Sequence, residues 1–155
     1  MIKRPSLLHP GILLATWFGA GYLPKAPGTW GSVAALPFAW VISVYFSWPG
    51  LAVATLIVFV IGLWAARIYE TKSAQHDPGA IVIDEVAGIW LTLTVVPPEP
   101  VLYVAGFLLF RLFDIRKPWP VSWADQKCTG SWGVMVDDIL AGVYAALVLV
   151  LIRFF

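Results

Sequence analysis

Charge is what this sequence has least of. Only 12% of its 155 residues are Asp, Glu, Lys or Arg, against roughly a quarter in an ordinary soluble domain. Such a chain cannot cover a sphere with polar side chains, and the alternative of a soluble helical protein with a greasy core or an obligate oligomer is the weaker reading. A basic excess is missing as well: the net charge is +1 at pH 7, which excludes the phosphate-backbone binding expected of a nucleic-acid partner. Cysteine is down to one residue, Cys128, so no internal disulfide can form, and it reads as a small packing residue. Histidine is scarce too; His9 and His76 stand isolated and read as surface residues. The N-terminal Met1-Ile2-Lys3-Arg4-Pro5 is followed by no clean hydrophobic core ending in a cleavage site, so no removable leader is expected.

What is present is apolar: 60% of the residues, with a mean hydropathy of +0.83. Between Lys25 and Arg67 there is no charged residue. Ser47-Trp48-Pro49-Gly50 divides that stretch as a turn, so helices are expected over 33–48 and 51–66, with Pro37 in the first turn of the former. A second pair is expected over 86–96 and 101–113, parted by Pro97-Pro98-Glu99-Pro100 and short for spanning unless it reaches back into 81–83. A last apolar run covers 139–152, and 7–18 suits an interfacial helix. The fold class that follows is all-α: one domain over 1–155, a polytopic membrane bundle of four or five hydrophobic helices plus the N-terminal interfacial helix.

If the N-terminus is cytoplasmic, alternation sorts the charges. Nine of the ten basic residues, all but Arg153, then lie on the cytoplasmic side, as the positive-inside rule demands. Eight of the nine acids, all but Glu99, lie there too. That rule does not ask for acids, and carboxylates beside a bilayer need another reason.

Four segments border that face. Residues 21–32 form a Pro- and Gly-rich loop opening into a helix, whose amides, with Lys25, Thr29 or Ser32, could receive an anion; the bland reading makes Ser32 an N-cap. The Gly-Lys-Ser/Thr order of a nucleotide-binding loop is missing. Asp84 and Glu85 interrupt an apolar run and need a cation or hydrogen-bond donors, unless a helix N-terminus alone favours them. Arg111, Asp114 and Lys117 recur at a spacing of three and can share a helix face, either as a structural ion pair or as a phosphate-gripping arginine beside a metal-binding aspartate. Asp137 and Asp138 again stand as two acids at the start of a hydrophobic helix. Five carboxylates without a Cys or His cluster are a hard oxygen set that suits Mg²⁺ better than zinc, and the interleaved cations point to a phosphate. Metal-assisted phosphoryl chemistry follows.

In this order the blocks Pro24-Lys25-Ala26-Pro27-Gly28-Thr29, Ile83-Asp84-Glu85, Phe113-Asp114 through Lys117-Pro118-Trp119-Pro120 and Met135-Val136-Asp137-Asp138 resemble the signature of the phosphatidylglycerophosphatase A family. The resemblance runs from Gly21 to Gly142 and implies a Mg²⁺-dependent lipid phosphatase of the bacterial inner membrane. Such an enzyme is multi-pass, faces the cytoplasm and converts phosphatidylglycerophosphate to phosphatidylglycerol and inorganic phosphate. It further implies Asp84, Glu85, Asp114, Asp137 and Asp138 as catalytic candidates, with Asp84, Glu85, Asp137 and Asp138 as metal ligands. Lys25, Thr29, Arg111 and Lys117 become candidate phosphate contacts. A cysteine phosphatase is disfavoured, because position 134, six after Cys128, is Val and not Arg. The alternatives are a CDP-alcohol-type lipid phosphotransferase, whose dense aspartate run is absent, and a small membrane cation transporter, whose acids would sit near mid-span.

Overall fold

The computed structural model describes residues 4–74 and 78–154, so Met1, Ile2, Lys3 and His76 lie outside the described residues. The chain is all-α: α1 (Pro10–Ala15), a 3-10 turn (Ala20–Tyr22), α2 (Pro27–Ser73), α3 (Ile83–Leu93), α4 (Pro100–Arg116), α5 (Val121–Lys127) and α6 (Gly130–Phe154). Of these, α2 and α6 are long and apolar enough to cross a membrane. Large apolar side chains such as Val44, Leu56, Val60, Val104, Leu108, Leu147 and Leu151 stand exposed on the outer surface. An apolar exterior on this scale suggests membrane association.

The long apolar stretch breaks at Ser47 alone, where φ is 55° and ψ is −165°, a left-handed conformation that normally belongs to glycine. The expected four-residue turn is corrected, because Pro49 and Gly50 already lie in the second limb and proline is tolerated in a first helical turn. The two limbs, 27–46 and 48–73, fold back on each other. Tyr22, just before the first limb, meets the ring of Tyr69 near the end of the second at 6.3 Å, and α1 presses Gly11 against Ile68. Trp17 meanwhile packs edge-on against Phe38 of the first limb.

α3 is the centre of the bundle. Nine of its 11 residues are buried, which is why it reads as apolar on every side yet is short. It is a core helix enclosed by its neighbours, and it starts at Ile83, three residues before the 86 expected for it. Trp90 donates its indole N–H to the carbonyl of Ala35 on α2 at 3.0 Å, and Tyr103 of α4 bonds Ser43 at 3.0 Å.

Further expectations change. Ser32 does not cap a helix; α2 begins at Pro27, and the Ser32 hydroxyl donates to the carbonyl of Gly28 one turn back at 2.9 Å. For the same reason Pro37 lies inside the helix. His9 is not idle, since its ring nitrogen accepts from the amide of Gly11 and caps α1, a helix of only 6 residues in place of the longer one expected over 7–18. α6 begins at Gly130, so Asp137 and Asp138 sit two turns inside it and helix-end capping does not account for them.

The bundle has two chemically distinct ends. Ser47, Pro97, Pro98 and Arg153 surround one hollow, with Arg153 donating to the carbonyl of Val95 at 2.8 Å. Asp84, Glu85, Asp114, Asp125, Asp137 and Asp138 gather at the opposite end.

Candidate active site

Backbone contact between α3 and α6 creates this end of the molecule. Asp84 precedes Gly88 by four residues and Asp138 precedes Gly142 by four, so each glycine lies one turn beyond its acid. A Cβ on Gly142 would stand 2.5 Å from the carbonyl oxygen of Gly88, and one on Gly88 would stand 2.7 Å from that of Asp138. Only hydrogen fits at these positions, and the helices touch backbone to backbone. Thr92 tightens the seam by donating to the carbonyl of Gly88 at 3.0 Å and standing 3.3 Å from that of Gly142. The start of α3 is held by the Val82 amide, which donates to the carbonyl of Ala15 at 2.8 Å. The first turn of α2 closes in through Gly28, where a Cβ would lie 2.0 Å from Oε1 of Glu85.

Asp84, Glu85 and Asp138 can each offer one carboxylate oxygen such that all three lie within 4.8 Å of one another. Asp84 and Asp138 are 9% and 4% exposed, so water does little to separate their charges. Among the described residues, Oδ1 of Asp84, Oε2 of Glu85, Oδ1 of Asp137 and Oδ2 of Asp138 are buried without a hydrogen-bond partner. Bare carboxylate oxygens so placed call for a proton or a cation to neutralise them. The donor set fits a hard, oxygen-preferring divalent ion, and the triad could bind such a metal.

These acids line a polar cavity of about 160 Å³ together with Asp114, Lys117, Asp125, Asp137 and Cys128. Cys128, expected as a packing residue, is thus part of the cavity wall. Lys117 ends α4 in a left-handed conformation, φ 45°, which turns its side chain across the cavity mouth. Its ammonium bonds Oδ2 of Asp137 at 2.8 Å and also Asp125. Burial alone would lower the lysine's pKa, but bonding to Asp125 and Asp137 outweighs it and holds the pKa above the ordinary lysine range. Asp137 therefore turns one oxygen to Lys117 and leaves the other bare.

Arg111 realises the bland pairing, bonding Asp114 three residues on, and it stands 3.8 Å from Oε1 of Glu85. It sits behind the two acids, while Asp114 and Lys117 face the cavity. Lys25 is exposed on the loop before α2, where it and Ala26 both adopt positive φ, 58° and 53°. Thr29 follows Gly28 in the first turn of α2. The structure thus brings all five predicted acids and Lys117 to one cavity, Arg111 to a place outside its lining against Glu85 and Asp114, and Lys25 and Thr29 to the neighbouring helix start.

Sequence reasoning missed Asp125 and the roles of Gly28, Gly88 and Gly142. Asp125 lies on α5, a helix of 7 residues in the stretch between 113 and 139, where no element was expected. A signal for the glycines was present: Asp and Gly stand four apart in both 84–88 and 138–142.

Known proteins resemble this chain over nearly its whole length. The family model described as phosphatidylglycerophosphatase A matches residues 13–153. A phosphatidylglycerophosphatase A of Escherichia coli (strain K12) is 39% identical over 145 residues, covering 93% of this chain and 84% of that protein. One from Haemophilus influenzae is 36% identical over 154 residues, covering 99% and 94%. A Bacteroides thetaiotaomicron protein, described provisionally as a phosphatidylinositol-3-phosphatase, is 40% identical over 162 residues, covering 98% of each. No solved structure matches the chain.

Proposed function

This chain belongs to the phosphatidylglycerophosphatase A family, and from that premise we propose that its acidic cavity hydrolyses the terminal phosphate of phosphatidylglycerophosphate, releasing phosphatidylglycerol and inorganic phosphate. The observation that carries this reading is the triad of Asp84, Glu85 and Asp138, its oxygens bare, in one cavity with the ammonium of Lys117. Metal-ready acids beside a fixed cation suit the negative charge of a phosphate monoester.

In this reading the protein is a multi-pass enzyme of the bacterial inner membrane with the cavity facing the cytoplasm. The limbs 27–46 and 48–73 of α2, together with α4 and α6, cross the bilayer. At about 1.5 Å per residue the first limb matches the ~30 Å hydrocarbon core and the second exceeds it. α3 fills the bundle, and α1 lies at the interface. Basic residues at the cavity end, Lys25, Arg67, Lys72, Arg116, Lys117 and Lys127, support this orientation.

Asp84, Glu85 and Asp138 are the residues that would hold Mg²⁺, which would supply charge neutralisation of the phosphate oxygens and a more acidic water. The chain's own groups do the rest. Lys117 holds the phosphate, exchanging part of its bonding to Asp125 and Asp137 for phosphate oxygens. Water attacks phosphorus, one cavity carboxylate accepts its proton, and the phosphorus–oxygen ester bond breaks as the glycerol alkoxide leaves and is protonated. Asp137, bonded to Lys117 and carrying a free oxygen, is the carboxylate best placed as that base. Arg111 fixes Glu85 and Asp114 in position, and Lys25 and Thr29 meet the incoming headgroup from the α2 loop. Attack by an aspartate, giving an acyl-phosphate, is the mechanistic rival; rapid-quench trapping of phosphorylated protein distinguishes it.

The test is phosphate release by the purified full chain in mixed micelles from phosphatidylglycerophosphate, with phosphatidylinositol-3-phosphate as comparator. Preferential release from the former is expected. No release from folded protein would overturn the reading in favour of a transporter or a phosphotransferase, and preference for the inositol lipid would overturn the substrate.

A further inference from the structure

A second hollow, of about 600 Å³, opens on the apolar outer surface between the second limb of α2, α3 and α6. Trp48, Ala52, Phe59, Leu91, Val95 and Ile139 form its walls. Two threonines also line it, but neither hydroxyl proton is free: Thr55 donates to the carbonyl of Leu51 at 2.8 Å and Thr94 to that of Leu91 at 2.6 Å. With their donors spent on their own helices, these walls favour an apolar occupant.

The groove begins beside the acidic cavity. Ile139 directly follows Asp138, and Phe59 meets the ring of Trp132 at 5.9 Å. One turn further along α2, Gly62 lies under Met135 and next to Ile83, the residue before Asp84. From Phe59 the walls run to Trp48 and Val95 at the far end of the bundle. Trp48 to Phe59 covers about 16 Å at 1.5 Å per residue, close to half of the ~30 Å hydrocarbon core. The hollow is therefore about half a hydrocarbon core long, almost wholly apolar, and headed by a phosphate-ready cavity.

We propose that this groove binds one fatty acyl chain of the phospholipid substrate, so that the lipid is held by its tail while its terminal phosphate lies among Asp84, Glu85, Asp138 and Lys117. The proposal rests on the lipid-phosphatase reading above. It makes the protein a reader of acyl chains as well as of headgroups, with Ala52 of α2 and Leu91 of α3 among the residues that line the chain's path.

Two forms of phosphatidylglycerophosphate, dipalmitoyl in mixed micelles and water-soluble dihexanoyl, test it with Ala52→Trp, which fills the groove, and Leu147→Trp, on the exposed face of α6, as control. Ala52→Trp is expected to raise KM for the long-chain substrate about tenfold and to leave the short-chain substrate within about twofold. Leu147→Trp is expected to change neither. Equal effects of Ala52→Trp on both substrates, or no effect on either, would overturn the proposal. If the unaltered protein releases phosphate from neither lipid, the function reading fails; if it releases phosphate from both but shows no chain-length effect in Ala52→Trp, only the groove fails. Should Ala52→Trp not fold, unaltered protein is labelled with phosphatidylglycerophosphate carrying a diazirine at the end of one acyl chain. Label concentrated in peptides 48–59 and 91–95 supports the groove, and label spread evenly over 101–112 and 143–151 as well contradicts it.

Discussion

The carbonyl oxygen of Gly88 occupies the place where a side chain on Gly142 would have to begin, 2.5 Å from that Cβ position. This single approach brings two helices close enough for Asp84 and Asp138, each one turn earlier, to share a ligand. Gly142→Ala is expected to push α3 and α6 apart, lowering stability by about 1–3 kcal/mol as overpacked cores do. Activity should fall further than stability, because ligand distance changes before the fold is lost. A thermal melt and a phosphate-release assay on the same preparation check both parts.

Asp84 and Asp138 are near-neighbour charges in a site with little water, so their mutual repulsion destabilises the metal-free protein. Asp138→Asn is expected to raise the melting temperature measured in chelator, while losing the further rise that Mg²⁺ gives the unaltered protein. Loss of the ligand should also cost several kcal/mol of transition-state stabilisation, on the order of 100-fold or more in rate. Scanning calorimetry with and without Mg²⁺ separates these opposite effects.

Lys117 spans Asp125 and Asp137, and its removal frees two acids at once. Lys117→Ala is expected to raise KM and lower kcat together, since the ammonium meets phosphate in both ground and transition states. Asp125→Asn leaves Lys117 with only Asp137, so a smaller change confined mainly to KM is expected. Steady-state kinetics of the two single variants and the double variant measure the coupling, which should be non-additive.

Arg111 is the cation between Glu85 and Asp114, with 14% of its side chain exposed. Arg111→Ala strands both acids and is expected to destabilise the protein by about 3–5 kcal/mol, as breaking one side of a buried ion pair does. Arg111→Lys should recover only part of that, because an ammonium cannot match the planar fork. Denaturation in detergent with each variant checks the order.

The sequence made the site more legible than the fold around it. Carboxylates in an apolar chain announce themselves, since each must be compensated, and Asp84, Glu85, Asp114, Asp137 and Asp138 were legible as one cluster for that reason. Helix limits were less legible. Proline reads as a stop signal, yet Pro37 lies inside α2 and Pro49 opens its second limb, so the division fell at Ser47. Gly130 through Gly133 looked like a loop, which hid the first two turns of α6 and made Asp137 and Asp138 resemble a helix start. Asp125 was not legible because its importance depends on Lys117 folding back across eight residues to meet it. Glycine at 88 and 142 reads as a weakness in a helix until the partner backbone is known to press on it.

The most direct test of the central claim is the rate of phosphate release from phosphatidylglycerophosphate by purified protein across a Mg²⁺ titration starting from full chelation, in the unaltered chain and in Asp84→Asn and Asp138→Asn. The account predicts no release in chelator, saturable recovery with Mg²⁺ in the unaltered chain, and no comparable recovery in either variant although both remain folded. Undiminished release in chelator, or full Mg²⁺-stimulated activity in both variants, would contradict it.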